Sequence, residues 1–158
     1  MKALFAGSFD PFTTGHLAIV ERGLKLADDI VIAVGHNEHK PGMWSVGERV
    51  EAIRNLFKGN PRVEVTSYDG LTSSFAKAIR AGCLLRGVRN IQDFEYEKTL
   101  ADTNREVFGI ETVFLIADPK SSFISSSMIR ELIHNGCDAS PFIAGKFTIP
   151  PQKSAGHR

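Results

Sequence analysis

The chain has 158 residues, of which 42% are apolar and 23% are charged, a composition typical of a single folded globular domain. Its 19 basic and 18 acidic residues give a formal charge of +1, so no net field attracts a nucleic acid or a membrane surface. The longest apolar runs have about five residues, far short of the roughly 18 that span a bilayer. The two cysteines, Cys83 and Cys137, form no C-x-x-C motif and predict buried, reduced thiols. We therefore expect a cytoplasmic protein that binds neither nucleic acid nor membrane.

Apolar periodicity divides the chain into alternating strands and helices. Continuous apolar runs predict strands buried on both faces, and apolar residues spaced three or four apart predict amphipathic helices. Ser45 and Glu48 have the spacing of a capping box, which marks a helix start. The predicted strands are 2–6, 30–34, 63–65, 83–85 and 112–116, and the predicted helices are 17–27, 46–57, 71–81, about 92–108, and 125–135.

This order repeats a strand–helix unit five times. Strands separated by helices run parallel, and right-handed crossovers place helices on both faces of the sheet. We therefore expect one Rossmann-like, doubly wound α/β domain over residues 1–147, with a five-stranded parallel sheet. Residues 148–158 lack apolar periodicity and predict a flexible C-terminal tail. In such folds ligands bind beyond the carboxyl ends of the strands, so functional side chains are expected in the loops that follow the strands.

The loop after the first strand is rich in polar groups and turn formers. Asp10-Pro11 predicts a turn, Ser8 and Thr13 offer hydroxyl groups, and His16 is expected to begin the next helix. The N-terminus of a helix attracts phosphate, and a histidine there adds another donor. Taken alone, the pattern fits a turn followed by a capping histidine equally well.

The loops after the second, fourth and fifth strands also carry polar groups. The run 86–89 reads R-G-V-R, and two arginines beside a glycine form a cationic fork suited to phosphate oxygens. Glu97 shares a helix face with apolar residues, so a partner such as Arg89 is expected. The serines of 125–127 indicate at least a helix cap, and Lys40 alone would be interpreted as a solvated lysine.

Together these segments resemble one family. T-x-G-H at 13–16, R-G-V-R at 86–89, D-F-E-Y-E at 93–97 and F-I-S-S-S at 123–127 resemble the bacterial phosphopantetheine adenylyltransferases of the nucleotidyltransferase superfamily. The resemblance covers about residues 2–147. It implies transfer of AMP from ATP to 4′-phosphopantetheine, giving dephospho-CoA and pyrophosphate, by in-line attack without a covalent intermediate. It also implies Mg²⁺ held mainly by ATP phosphates rather than by a metal site of the chain, a homohexamer, and feedback inhibition by coenzyme A.

The resemblance also implies roles for individual residues. His16, Lys40 and Arg89 are implied to be catalytic. The implied acceptor-binding residues are Ser8, where threonine is more usual, Lys40, Thr72, where Met or Leu is common, and Arg86. The implied ATP-binding residues are Ser8, Phe9, His16, Gly87, Val88, Arg89, Glu97, Ser121, Ser122, Phe123, Ile124, Ser125, Ser126 and Ser127, with Ser121 standing where some members have Trp or Tyr.

Two alternatives stay open on the sequence. Another adenylyl- or cytidylyltransferase of the superfamily would use the same T-x-G-H motif with a different acceptor, although Arg86 and the D-F-E-Y-E helix favour phosphopantetheine. A nucleotide-binding regulator without catalytic activity would be expected to lack His16 or Lys40, and both are present.

Overall fold

Strands and helices alternate along the chain in the predicted order. The structure is a computed structural model, and it describes residues 1–151. The strands are β1 (Lys2–Gly7), β2 (Asp29–Gly35), β3 (Val63–Tyr68), β4 (Cys83–Val88) and β5 (Glu111–Ile116). The helices are α1 (Thr14–Gly23), α2 (Val46–Leu56), α3 (Thr72–Ala78), α4 (Ile91–Phe108) and α5 (Ser126–His134), followed by a 3-10 turn at Ser140–Phe142.

The five strands form one parallel sheet in the order β3-β2-β1-β4-β5, which confirms the predicted fold class. The strand order reverses between β1 and β4. There the described ladder pairs only Ala3 with Cys83 and Leu4 with Leu84, whereas β1 and β2 pair along their whole length. Ligands of open α/β sheets bind at such a reversal. The sheet therefore places a crevice at the carboxyl ends of β1 and β4.

Alternation along β1 separates the core into two layers. Phe5 faces a layer formed with α1 and α2, which contribute Val20 and Ile53. Leu4 faces the opposite layer, where Ala76 of α3 packs. A third cluster gathers around α5 and includes Trp44 and the segment before the 3-10 turn. Helices thus cover both faces, as a strand buried on both sides requires.

Several element boundaries differ from the predicted ones. β4 extends to Val88, so most of the R-G-V-R run is strand rather than loop. The third helix ends at Ala78, and Arg80 beyond it takes a left-handed φ of 58°, which stops the helix before Gly82. The first helix begins at Thr14, and it ends at Gly23. Cys83 is buried as expected, but Cys137 is exposed.

The start of the predicted tail is attached to the domain. The Trp44 indole N–H donates to the Thr148 carbonyl at 2.7 Å, and its ring lies 5.1 Å from that of Phe147. Residues 152–158 lie outside the described part of the chain, so the tail stays a prediction there. Within residues 1–151, none of the helices combines the length and the apolar character needed to cross a membrane.

Replacing Gly23 with alanine tests the packing of α1 on the sheet. The added methyl group would lie 2.6 Å from Leu85 Cδ2 and 3.0 Å from Ile30 Cδ1, inside the core. We expect the free energy of unfolding to fall by about 1–3 kcal/mol, as in other overpacked cores. Chemical denaturation measures the change.

The matched control is Gly47→Ala on the exposed side of α2, where the new methyl group would meet nothing closer than Ser45 Oγ, at 4.0 Å, apart from its chain neighbours and the helix backbone. Helix propensity predicts equal or higher stability there, by up to about 1 kcal/mol. Equal stability of the Gly23 variant and the native protein would contradict the packing of α1 against β2 and β4.

Candidate active site

Two adjoining cavities open at the crevice between β1 and β4. The first, of about 410 Å³, is lined by the starts of α1 and α5, and we call it the α1–α5 cavity. The second, of about 320 Å³, is lined by the start of α3 and one face of α4, and we call it the α3–α4 cavity. Ser8, Arg86 and Glu97 line both cavities. The crevice therefore offers two ligand-sized spaces with a shared polar wall.

His16 is held by the first turn of α1. The Thr13 hydroxyl accepts from the backbone N–H of His16 at 3.1 Å, and the backbone N–H of Thr13 donates to His16 Nδ1 at 2.9 Å. His16 is thus the third helical residue and completes a capping box, a place usually taken by Glu or Gln. Because Nδ1 accepts a hydrogen bond, the proton of the neutral imidazole lies on Nε2.

The surroundings of His16 keep its imidazole uncharged. The rings of Phe9 and Phe12 have centroids 5.0 and 5.3 Å from the imidazole. Burial first, and then the positive charges of Arg86 and Arg89, together lower the pKa of His16 from 6.5 to about 3. His16 lines the α1–α5 cavity. It can therefore serve the cavity as a neutral N–H donor at neutral pH.

Arg86 joins the two strands where their backbone pairing stops. Its Nη1 donates to the Ala6 carbonyl at 2.5 Å, and its Nε and Nη2 donate to the two carboxylate oxygens of Glu97 at 2.9 and 2.5 Å. The prediction that Arg89 is the partner of Glu97 is therefore wrong, because Glu97 pairs with Arg86. The reason is that β4 extends through residue 86, so that the side chain of Arg86 faces α4, whose buried residue is Glu97.

Arg89 lies one residue beyond β4 and links two helix starts. Its Nε donates to Asp93 Oδ2 at 2.9 Å, and its Nη1 donates to the Ile124 carbonyl at 3.3 Å. The Asn90 side chain caps α4 by accepting from the Asp93 N–H. Arg89 lines the α1–α5 cavity together with this acidic partner, so its position is set by α4 and by the segment before α5.

The three serines before and within α5 have different partners. The Ser125 hydroxyl caps α5 by accepting from the Met128 N–H at 3.1 Å, which confirms the helix-cap interpretation. The Ser126 hydroxyl donates to the Pro11 carbonyl at 2.8 Å, and the Ser127 hydroxyl accepts from Arg130 at 3.2 Å. All three serines line the α1–α5 cavity. The start of α5 is therefore joined directly to the first loop.

The structure places two further residues, Arg130 and Asp10, near the cavities, and the sequence analysis predicts neither as a site residue. Arg130 lines the α1–α5 cavity and donates to the Asp10 carbonyl at 2.8 Å. The signal for Arg130 was present, since it stands three residues after Ser127 and thus on the same helix face. Asp10, interpreted only as a turn former, is buried, and its carboxylate accepts from the N–H groups of Met43 and Trp44. No local pattern indicates that contact, because its partners lie 33 and 34 residues away.

The comparisons with known proteins identify the family. A family model described as "Cytidylyltransferase-like" matches residues 4–132. The phosphopantetheine adenylyltransferase of Bacteroides thetaiotaomicron is 49% identical over 142 residues, which cover 90% of this chain and 94% of that protein. The chain belongs to the phosphopantetheine adenylyltransferase family. The family member of Porphyromonas gingivalis is 48% identical over 147 residues, covering 93% of this chain and 96% of that protein.

Solved structures share the fold at much lower sequence identity. A bifunctional NMN adenylyltransferase/ADP ribose pyrophosphatase from Francisella tularensis, complexed with AMP and a manganese ion, gives a TM-score of 0.68 at 13% identity. The similarity covers 92% of this chain but only 45% of that one. A NadR protein in complex with NAD and AMP-PNP gives a TM-score of 0.61 at 16% identity, covering 90% of this chain and 44% of the other. Both similarities support the Rossmann-like nucleotidyltransferase fold.

The two cavities divide the residues that the family resemblance implies for its two substrates only in part, because Ser8, Arg86 and Glu97 line both and Lys40 lines the α1–α5 cavity. The α3–α4 cavity contains Thr72, whose hydroxyl lies 2.7 Å from that of Tyr68, and also the unpredicted Asn104. Lys40 is exposed and lines the α1–α5 cavity. The other implied residues that line the α1–α5 cavity are Ser8, His16, Arg86, Gly87, Arg89, Glu97, Ser121, Ile124, Ser125, Ser126 and Ser127.

Four implied ATP-binding residues have other surroundings. Phe9 takes a left-handed φ of 46° and directs its ring into the core, over Gly7. Val88 is buried in the sheet, and the Ser122 hydroxyl donates to the Pro119 carbonyl. Phe123 is 59% exposed and packs edge-on against Phe142. Any contact between these four residues and a nucleotide stays a prediction.

The acidic groups of the site are already engaged by the protein. Asp93 and Glu97 are bound by Arg89 and Arg86, and Asp10 is bound by backbone N–H groups. Within the described residues, no group of three His, Cys, Asp or Glu side chains is arranged to hold a metal ion. The carboxylates of Asp10, Asp93 and Glu97 are therefore all paired within the protein.

The protonation of His16 can be tested directly. Because burial and the charges of Arg86 and Arg89 lower its pKa to about 3, we expect the imidazole to stay neutral from about pH 8 down to about pH 5, the range in which a free histidine titrates. NMR titration of the ring protons measures this, and His16→Gln assigns the signal while retaining a residue suited to the capping box. A His16 signal that titrates near pH 6.5 would contradict the assignment.

The same pKa shift predicts a pH dependence of stability. Below pH 6.5 the unfolded chain binds a proton at this histidine, whereas the folded chain does not until about pH 3. The free energy of unfolding should therefore fall as the pH drops through this window, and His16→Gln should lose that part of the slope. Denaturation at several pH values compares the two proteins.

Proposed function

We propose that this chain transfers the AMP moiety of ATP to 4′-phosphopantetheine, giving dephospho-CoA and pyrophosphate in coenzyme A biosynthesis. The observation that carries the proposal is the pair of adjoining cavities with Ser8 and Arg86 on their common wall. Two phosphorylated ligands can meet there. Relatives that are 48–49% identical over most of the chain bear the name of this activity.

ATP is assigned to the α1–α5 cavity. Two helix N-termini converge on this cavity, and their free backbone N–H groups and dipoles favour phosphate. Arg89, Arg130 and Lys40 add cationic charge, and His16 adds a neutral donor. The cavity therefore suits a triphosphate with charge developing at its α-phosphorus.

Phosphopantetheine is assigned to the α3–α4 cavity. Leu84, Leu100 and Ala101 supply apolar surface there, and Asn104 supplies an amide. A lining of this kind suits a chain in which methylene groups alternate with amides. The phosphate end of the acceptor would lie at the boundary, beside Ser8 and Arg86, next to the ATP phosphates.

The proposed reaction is a direct displacement at phosphorus. An oxygen of the acceptor phosphate forms a bond to the α-phosphorus of ATP, and the bond from that phosphorus to the bridging oxygen breaks, so pyrophosphate leaves with the electron pair. The attacking phosphate oxygen is already anionic at neutral pH, so no general base is required. Because no base is needed, His16 can act in the reaction as a neutral donor through its Nε2–H. Catalysis then rests on positioning and on stabilisation of the spreading negative charge.

The metal ion, the assembly and the regulation are proposed from the same site. Mg²⁺ held mainly by the ATP phosphates and water would neutralise charge, in keeping with carboxylates that are already paired with arginines. Coenzyme A contains the phosphopantetheine arm and would compete for the α3–α4 cavity as a feedback inhibitor.

Large apolar side chains exposed on α4, such as Ile91 and Val107, suit burial in a homohexamer. Because the proposed reaction consumes ATP, we expect the protein to act in the cytoplasm.

A panel of acceptors tests the function. Pyrophosphate release from ATP and Mg²⁺ is measured with 4′-phosphopantetheine, with nicotinamide mononucleotide and without an acceptor, and turnover is expected only with the first. The melting temperature should rise with ATP and Mg²⁺ and rise again with phosphopantetheine, because each ligand stabilises the folded state. His16→Ala is the control and should lower kcat about 10²–10³-fold, as expected for loss of one transition-state donor. If nicotinamide mononucleotide supported turnover and 4′-phosphopantetheine did not, phosphopantetheine would not be the acceptor.

Lys40 and Arg86 are expected to affect different kinetic constants. Lys40 is exposed in a loop, so its ammonium can move with the reacting phosphate, whereas Arg86 is fixed by Ala6 and Glu97. An interaction that strengthens only in the transition state lowers kcat when it is lost, and a uniform one raises KM. Lys40→Ala should therefore lower kcat in both reaction directions, and Arg86→Lys should mainly raise KM for phosphopantetheine.

Arg86→Lys is chosen because alanine would leave the buried carboxylate of Glu97 unpaired, which is costly in itself. Steady-state kinetics of both variants in the forward and reverse directions measures kcat and KM separately. An unchanged kcat in the Lys40 variant, or a reduced kcat at constant KM in the Arg86 variant, would contradict it.

A further inference from the structure

The loop that carries Lys40 is held at both of its ends. At one end, the backbone N–H of Lys40 donates to the Asn37 carbonyl at 3.2 Å and closes a turn. At the other end, the N–H groups of Met43 and Trp44 donate to the two carboxylate oxygens of Asp10, at 2.8 and 3.0 Å. Only Pro41 and Gly42 separate Lys40 from this second anchor. The position of Lys40 therefore depends on the Asp10 carboxylate.

Asp10 is buried with a cationic neighbour. The side chains of Asp10 and Arg49 are 8% and 7% exposed, and Arg49 Nε lies 4.0 Å from Asp10 Oδ1. The same guanidinium donates to the carbonyls of Trp44 and Ser8, at 3.0 and 2.5 Å. One buried ion pair thus joins the base of the Lys40 loop to Ser8, which lines both cavities.

The backbone of Asp10 is attached to a third part of the site. Its carbonyl accepts from Arg130 of α5 at 2.8 Å, and the next carbonyl, that of Pro11, accepts from Ser126. Asp10 is therefore the point at which the first loop, the Lys40 loop and the start of α5 meet. A turn former needs none of these contacts.

We propose that Asp10, paired with Arg49, is a positioning residue for the transfer reaction and acts through Lys40. It rests on the proposed function, because the substrate phosphates give Lys40 its role. The carboxylate holds the base of the loop and so sets the backbone position from which the mobile side chain of Lys40 reaches the phosphate. Displacement of a catalytic group by about 1 Å can cost on the order of 100-fold in rate.

Two substitutions break the same contact from opposite sides. Asp10→Asn keeps the size of the side chain, but its amide group can accept from only one of the two N–H groups. Gly42→Ala leaves Asp10 intact, but its methyl group would lie 2.9 Å from Asp10 Oδ2 and 2.9 Å from the Trp44 carbonyl, so the loop must shift. Gly42 is exposed, so this variant tests the contact even where the buried Asp10 variant fails to fold.

The decisive experiment is a pair of double-mutant cycles with Lys40→Ala. Each substitution alone should lower kcat about 10–100-fold, with less than about a threefold change in KM for ATP. In the Lys40→Ala background each should change kcat by less than about twofold, because residues that act as one unit are not additive. An equal loss of kcat in both backgrounds, or an unchanged kcat in the single variants, would overturn the proposal.

A stability control separates positioning from general damage to the fold. Arg62 donates to the carbonyls of Leu24, Ala27 and Asp28 at the amino edge of the sheet, opposite the cavities. Arg62→Ala should lower the melting temperature while leaving kcat within about twofold of the native value at a temperature where the protein is folded. A comparable loss of kcat in this control would attribute the Asp10 effect to stability and overturn the proposal.

Amide hydrogen exchange tests the contact without any substrate. The N–H groups of Met43 and Trp44 should be protected in the native protein and exchange at least about tenfold faster in Asp10→Asn and Gly42→Ala. Turnover failing in the native protein while these amides remain protected would refute the proposed function and leave the loop anchor standing. Fast exchange of the Met43 and Trp44 amides in the native protein would show that Asp10 does not anchor the loop, whatever the enzymatic activity.

Discussion

The arrangement of the site depends on the point where β1 and β4 stop pairing. β1 pairs with β2 from Lys2 to Gly7, but its described backbone pairing with β4 ends at Leu4 and Leu84. The guanidinium of Arg86 then bridges the gap by donating to the Ala6 carbonyl, and Glu97 neutralises it from α4. The side chain thus replaces the missing backbone bonds. It keeps the crevice open for ligands while holding its two walls at a fixed separation.

This bridge also contributes to the electrostatics of the crevice. Arg86 and Arg89 both lower the pKa of His16, although burial among phenylalanine rings is the largest cause. A histidine that is held neutral contributes no positive charge, so in the proposed function the attraction of phosphate would rest on the other groups lining the cavity, namely Arg89, Arg130, Lys40 and the two helix starts. The capping box fixes which nitrogen carries the proton. For a reaction whose nucleophile is already ionised, a fixed donor is more useful than a base.

The sequence predicted this site unevenly, and the reason differs from residue to residue. The capping positions of His16 and Ser125 could be predicted because such motifs are local and lie at helix starts, where polar side chains satisfy free N–H groups, whereas their roles toward substrates rest on the family resemblance. The predicted partner of Glu97 was wrong because it depends on the length of β4, which extends to Val88 rather than ending at residue 85. Asp10 was missed because a carboxylate that binds N–H groups 33 and 34 residues away has no local signature.

The sequence by itself determined the order of strands and helices, the parallel sheet and the identity of the polar loops, because apolar periodicity and helix capping act over a few residues. The tertiary structure alone decided which loops share a wall, which acid neutralises which arginine, and how the Lys40 loop is anchored. These features arise where segments far apart in the chain bury polar groups together. A buried donor or acceptor must find a partner wherever the fold supplies one, and that choice depends on the geometry of the sheet rather than on distance along the chain.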